Sequence, residues 1–502
     1  MHTVEQRIPG LFMLTAVRNP NDYPHFSGCL NAIALSNFYH VQIFLIIVLV
    51  AGSLSIMMSF SLLFRFRWSS GGPILWLIKS FSSALAPFLF AMGAFCVLVG
   101  IIIRSVAATV LGVPVAIVSL IYLFRIFKVT DASTGLKKAF GPDWEDRISA
   151  ERKAKFLKTP LTLLLPANKD FIFKRNISFS SVPGTNRELF CDLWLPSQNV
   201  RRSGLAFIYF HGSAWSYLDK DFFTRPLFRH LASQGHVIMD VAYRLFPETD
   251  MTGMVNDAKR AVAWMKANTS KYGVSPDHIV IGGGSAGGHI ALLAAYLPDE
   301  LKLNPPELQS VDLSVQAVVA AYGPPDLRAH YYHTGQHIAR RSKPNQVEKT
   351  EHGVVSRWMK QLIGKNYSRL GFNKPSSCGT LASILGFRPD ENPDMYDFFS
   401  PIAHVASNCP PTLMVHGEHD MFAPVAATKL LYEKLNKAGV LAALYLVPQT
   451  DHGFDLFMSK ISPVAHTALY IVERYLALMA ISERSKNFQG QSTESGTEQL
   501  II

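Results

Sequence analysis

"IVIGGGSAGGHIALLAAY", residues 279–296, is a β-branched apolar run that stops on three glycines and a serine before turning into an alanine- and leucine-rich helix. A short apolar run bounded by glycine fits a strand buried on both faces of a sheet. Gly283-Gly284-Ser285-Ala286-Gly287 matches GxSxG at the strand-to-helix corner. Small residues at 283, 284 and 287 let the backbone turn sharply and hold Ser285 Oγ clear of the sheet, at the positive end of the next helix. A serine hydroxyl is a weak nucleophile until a base takes its proton, so the corner acquires chemistry only if the chain supplies one.

Working outward, "LAFIYF" (205–210), "HVIMDVAY" (236–243), "HIVIGG" (278–283), "QAVVAAY" (316–322), "TLMVH" (412–416) and "ALYLV" (443–447) alternate with helical patterns. This rhythm predicts an α/β domain over 169–480, a mainly parallel sheet with helices on both faces. Ligands of such sheets bind at the carboxyl ends of the strands. The segment 328–396 is too long for an ordinary connection and is expected to be a lid insertion.

Asp420 follows the strand "TLMVH" and His452 follows "ALYLV", so Ser285, Asp420 and His452 all fall on one rim, in the order Ser, Asp, His. That order suits a nucleophile, an orienting carboxylate and a general base. Glu418 and Asp451 compete for the carboxylate role, but Asp451 adjoins His452 in sequence and is poorly placed to reach its ring. "FHGSAW" (210–215) follows the strand "LAFIYF", where backbone donors for a developing oxyanion belong. The candidates are Gly212, Ser213, Ala214 and, beyond the elbow, Ala286. Ser213 stands where a glycine is usual, which is costly if that position needs φ > 0; its hydroxyl is expected to compensate by a hydrogen bond.

These blocks resemble the hormone-sensitive-lipase-like esterase and lipase group of the α/β-hydrolase superfamily: "HGSAW", "AYRLFPE" (242–248), "GGGSAGGH", "PPTLMVHGEHD" and "DHGF". The resemblance implies an α/β-hydrolase fold, Ser285 as nucleophile, Asp420 as acid, His452 as base, the 211–214 loop with Ala286 as oxyanion hole, and no cofactor. Apolar segments ahead of such a domain are also similar to isoprenylcysteine methylesterases and the arylacetamide-deacetylase type, and HGxxW is similar to kynurenine formamidases.

The chain has 502 residues, 49% of them hydrophobic and only 17% charged. Mean hydropathy is +0.16, shifted toward membrane proteins. Residues 41–64 carry no charge, and Arg104 is the only charge from Ser80 to Phe124. At 1.5 Å per residue these runs are long enough for the roughly 30 Å hydrocarbon core and predict helical spans at 41–64, 84–103 and 106–124 within a transmembrane region 41–125. A buried hairpin is the alternative, but no soluble segment nearby is long enough to cover it. A polar head (1–40) precedes the spans; a basic connector (126–168) follows, and a polar, disordered tail (481–502) ends the chain. The apolar run begins too late and runs too long for a cleaved signal peptide.

Arg65, Arg67 and Lys79 lie between the first two spans, and Arg125, Lys128, Lys137 and Lys138 follow the last, whereas Arg104 stands alone. This asymmetry predicts a cytosolic catalytic domain on an endomembrane such as the endoplasmic reticulum. The sequons at Asn176, Asn268 and Asn366 would argue for the lumenal side, but chance supplies about two in such a stretch. Much of the +11 net charge sits near "RISAERKAKFLK" (147–158). There it meets anionic headgroups more simply than nucleic acid, and Trp144, Ile148, Phe156 and Leu157 suit a membrane-surface stretch or a solvated linker helix. Five scattered cysteines without CxxC spacing imply no metal site.

The expected function is a membrane-anchored serine hydrolase acting on lipophilic carboxylic esters, with substrate and membrane lipids as partners and no nucleic acid. An amidase, formamidase or deacetylase would use the same triad. A ligand-binding receptor on the same scaffold is the alternative from another class; such proteins usually lose the base or the nucleophile, and this chain keeps all three residues. A transporter would place ionisable groups within the spans, and only Arg104 is there.

Overall fold

The computed structural model describes residues 24–66, 72–129, 135–335 and 380–481. The expected tail, the middle of the expected lid and the sequon at Asn366 lie outside these residues. The strands are β1 (Phe171–Ser181), β2 (Glu188–Pro196), β3 (Ala206–Phe210), β4 (Val237–Ala242), β5 (Ile279–Gly284), β6 (Ala317–Ala321), β7 (Thr412–Gly417) and β8 (Ala442–Val447). The principal helices are α1 (Pro24–Ser61), α2 (Gly72–Ala84), α3 (Ala86–Ile102), α4 (Val106–Val129), α5 (Leu136–Phe140), α6 (Arg225–Ser233), α7 (Met251–Ala267), α8 (Ala286–Tyr296), α9 (Leu327–His333), α10 (Pro393–Phe398), α11 (Val425–Lys437) and α12 (Pro463–Met479).

Among the described residues, these eight strands join one sheet in the order β1-β2-β4-β3-β5-β6-β7-β8. From β3 to β8 every pairing is parallel, while β2 is antiparallel to both β1 and β4. Side chains alternate across β3: Ala206, Ile208 and Phe210 join a core with Met254 of α7 and Ile290 of α8. Phe207 and Tyr209 join a second core with Phe228 of α6 and Tyr475 of α12. Helices therefore cover both faces, as the unbroken apolar strands require. This is the α/β-hydrolase fold. The six strands expected from the sequence are all present, and β1 and β2 are additions. Their alternation is masked because β1 carries Lys174, Arg175 and Asn176 and β2 buries Asp192.

Contacts divide the chain into two compact units that do not follow the expected boundary at 125. One comprises the residues up to Met57 with Ala91–Ala116, and the other Met58–Phe90 with Ile117 onward. In the first, Val48, Cys96, Val99 and Ala108 form a small core. A Cβ on Gly112 would stand 2.8 Å from the Val97 nitrogen, so glycine is what lets those backbones approach. Much of the apolar surface stays exposed: Ile46, Ile47, Ile101 and Val110 are each more than half accessible. Among the described residues, two helices, Tyr39–Ser61 and Val106–Val129, are long and apolar enough to cross a membrane. There are up to three spans if Ile74–Ala84 and Ala86–Ile102, bent by 76°, count as one. The expected span at 84–103 is thus a 17-residue helix with a break before it. The expected polar head is already helical from Pro24, within a single 38-residue helix.

The second unit holds the sheet together with α2 and the connector. Trp144, Ile148, Phe156 and Leu157 are buried in the core that contains α12, which replaces the expected membrane-surface or solvated setting. Phe140 meets Tyr475 edge-on at 6.1 Å, the Leu157 N–H donates to Glu473 at 2.9 Å, and Arg152 donates to the Ser203 and Ala477 carbonyls. Aromatic and basic residues at these spacings satisfy a protein face as well as a bilayer, so the sequence does not separate the two. Trp144→Ala is expected to destabilise the protein by about 3–5 kcal/mol, measured by urea unfolding in detergent micelles. A change below about 0.5 kcal/mol would place Trp144 at a surface instead.

Candidate active site

β5 ends at Gly284 and α8 begins at Ala286, leaving Ser285 alone at the corner with φ 55° and ψ −125°. A left-handed, non-glycine residue is costly and persists only where its surroundings fix it. Here the cause is close packing. A Cβ on Gly283 or Gly287 would run into the Phe210 carbonyl oxygen, so α8 can lie against the end of β3 only with glycine on both sides of Ser285. The Ser285 N–H donates to the Ala321 carbonyl of β6 at 2.9 Å, which ties the corner to the next strand. Gly284 lies against the Tyr322 ring.

The structure brings the three expected residues together. His452 Nε2 lies 2.8 Å from Ser285 Oγ, and His452 Nδ1 lies 2.7 Å from Asp420 Oδ2. The carboxylate accepts from Nδ1–H, which leaves Nε2 as the acceptor for the serine proton. Asp420 is fully buried and compensated on every side: Oδ1 accepts from the Phe422 and Ala423 N–H groups at 2.8 and 2.7 Å, and Oδ2 also accepts from His416 at 3.1 Å. Burial alone would raise this carboxyl, but electrostatic attraction and hydrogen bonds from His452 and His416 outweigh it and hold Asp420 well below the ordinary carboxylate range.

Neither competing carboxylate takes that role. Glu418 accepts from the Gln449 N–H at 3.3 Å. Asp451 accepts from the backbone N–H groups of His452 and Met421 at 2.8 and 3.0 Å, bracing the turn that carries the ring. Its burial, reinforced by the charge of Asp420, pushes Asp451 up to about 6.

The loop after β3 lies against the serine: a Cβ on Gly212 would stand 3.2 Å from Ser285 Cβ. Positive φ occurs at Ala214 (44°) and Trp215 (59°) rather than at Ser213, so the strain expected for Ser213 falls on the next two residues. The Ser213 hydroxyl makes the expected hydrogen bonds, accepting from the Trp215 N–H at 2.9 Å and meeting the Tyr243 hydroxyl at 2.7 Å. Tyr243 donates in turn to the His211 carbonyl at 2.8 Å. Trp215 Nε1 donates to His289 Nδ1 at 3.2 Å, and His289 Nε2 donates to the Phe399 carbonyl at 2.7 Å. Burial lowers His289 to about 4, consistent with that neutral donor–acceptor pattern. Ala286 opens α8, and the first N–H groups of a helix have no partner within it.

Several residues escaped the sequence. Tyr243 sits in the quoted "AYRLFPE" block, yet nothing there signals that its hydroxyl holds the loop. His416 shares the Asp420 carboxylate, and its signal was the histidine in "VHGEHD". Tyr322 packs on the His452 ring at 4.7 Å and donates to Asp455, whose carboxyl burial pushes up. At the described start of the expected lid, His333 of α9 donates to the Asp420 carbonyl at 3.2 Å, and Tyr331 packs on Tyr396 of α10 at 6.0 Å.

A raised carboxyl binds its proton more tightly in the folded state, so it withdraws stability as pH climbs from the unfolded value near 4 through the folded value near 6. Asp451→Asn keeps the acceptor oxygen and removes the charge. The melting temperature of wild type relative to this variant is expected to fall between about pH 4 and pH 6.5 and then to level off. A pH-independent difference would contradict this.

The family model described as BD-FAE matches residues 191–367 and 359–435. The chain is 28% identical over 323 residues to a probable carboxylic ester hydrolase, LipM, of Mycobacterium tuberculosis, covering 64% of this chain and 64% of that protein. It is 28% identical over 331 residues to the esterase LipQ of the same organism, covering 64% and 68%. It is 25% identical over 298 residues to the isoprenylcysteine alpha-carbonyl methylesterase ICME of Arabidopsis thaliana, covering 57% and 59%. The chain thus spans about two thirds or less of these relatives' own lengths.

Proposed function

Taking the chain as an α/β-hydrolase of the esterase group, similar to isoprenylcysteine methylesterase, we propose that it is a membrane-anchored serine hydrolase that cleaves carboxylic esters of lipophilic molecules. The observation that carries this is the unbroken hydrogen-bonded chain from Ser285 through His452 to a buried Asp420. His452 Nε2 takes the proton of Ser285 Oγ as the oxygen attacks the ester carbonyl carbon. The oxyanion accepts from the Ala286 N–H and from the N–H groups of the Gly212–Ala214 loop, where one such donor contributes roughly a hundredfold or more in rate. Collapse expels the alcohol, which takes the proton back from His452. Water, deprotonated by the same imidazole, then attacks the acyl-enzyme and frees the acid. Asp420 stays ionised throughout and stabilises the imidazolium as it forms.

Names of relatives that include an ester hydrolase, an esterase and a methylesterase support the ester class. The apolar helices of the same chain, and Phe422 lying 5.1 Å from the His452 ring, support a lipophilic substrate drawn from a bilayer. Arg65, Arg125 and Lys128 at the apolar boundaries support a cytosolic site on an endomembrane. Lys79, counted with them, is fully buried and adds no surface charge.

The test is hydrolysis of p-nitrophenyl esters of increasing acyl length by the full chain in detergent. kcat/KM is expected to rise by up to about fourfold per CH2 that becomes buried. Ser285→Ala is expected to lose at least about a thousandfold in rate. A flat or falling chain-length profile would contradict a lipophilic substrate, and undiminished activity of Ser285→Ala would contradict the nucleophile.

A further inference from the structure

Trp76 of α2 belongs to the apolar N-terminal part of the sequence, yet its indole Nε1 donates to the backbone carbonyl of His452 at 2.8 Å. Its ring packs edge-on against Phe422 at 5.4 Å and Phe457 at 5.1 Å. Phe422 in turn tilts against the His452 imidazole, and Phe81 of the same helix meets Phe457 at 5.7 Å. Other contacts reach the same two loops. Lys79 Nζ donates to the Phe64 carbonyl at 2.5 Å and to His419 Nδ1 at 2.7 Å, one residue before Asp420. The Tyr122 hydroxyl meets Thr450 Oγ1 at 2.8 Å, two residues before His452. A tether needs only apolar length, and none of these polar contacts serves that end.

We infer that Trp76 is a positioning residue for the general base, and that α2 is part of the catalytic unit. This rests on the proposed role of His452. Asp420 fixes the imidazole at Nδ1, but the ring hangs from a loop whose next residue, Gly453, takes φ 70°. The indole N–H clamps that loop one bond from the His452 Cα, and the aromatic cluster closes the space into which the ring would swing. With the clamp released, Nε2 drifts from Ser285 Oγ, and a proton transfer that depends on hydrogen-bond reach slows.

The test compares the full chain in detergent with Trp76→Phe, which keeps the packing and removes the N–H, and with Thr450→Val, which removes the Tyr122 contact on the same loop. A soluble short-chain p-nitrophenyl ester is the substrate. Trp76→Phe is expected to lower kcat about five- to tenfold, the order of one hydrogen bond, with KM within about twofold and an unchanged melting temperature. Thr450→Val is expected to move kcat in the same direction. Wild-type kcat in Trp76→Phe, or a loss matched by the unfolded fraction, would overturn the positioning role while leaving the hydrolase proposal intact. If Trp76→Phe does not fold, an unchanged kcat in Phe457→Leu, which withdraws a ring that seats the Trp76 indole, overturns it. An inactive wild type would defeat the hydrolase proposal itself.

Discussion

A carboxylate buried without exposure must be compensated on every side, and at Asp420 that requirement organises the molecule. Two backbone N–H groups of its own turn and two imidazoles from different elements converge on it. The turn after β7 therefore has one shape, the His452 ring has one tautomer, and Nε2 has one direction to face. Ser285 is held where that direction leads by a separate constraint, the contact of α8 with the end of β3 through Gly283 and Gly287. Rigidity from packing and rigidity from charge meet across 2.8 Å.

The same economy of polar groups runs through the surrounding loops. Asp451 braces the backbone that carries His452, Tyr243 and Ser213 hold the loop beside Ser285, and His289 joins α8 to that loop through Trp215. Some of these contacts are local, as Asp451 to the next N–H, and others join residues far apart in sequence, as Tyr243 to the His211 carbonyl. Such networks lock geometry because a single missing member leaves others unsatisfied in a poorly polarisable interior.

The centre of the fold was legible because its determinants are local. A buried parallel strand announces itself as an apolar run, and the elbow needs small residues at fixed offsets around Ser285. Asp420 and His452 were legible because each follows its strand directly. Elements governed by partners were not. β1 is largely exposed and carries charges, and β2 buries Asp192 in mid-strand, so their pairing is visible only once β4 is in place. In the connector, Trp144 and Phe156 present the same pattern to a bilayer and to α12. Most of all, Lys79 read as a flanking charge between two apolar runs, whereas Lys79 and Trp76 make polar contacts with the loops that carry Asp420 and His452. Hydropathy records what a side chain tolerates, not which surface it meets.

The central claim is that this geometry activates Ser285. The most direct measurement is the intact mass of the full chain after exposure to a fluorophosphonate, followed by peptide mapping of the modified residue. A single adduct on Ser285, lost in His452→Ala, is the result expected of an activated nucleophile. A folded protein that gains no adduct, or gains one elsewhere, would contradict the account.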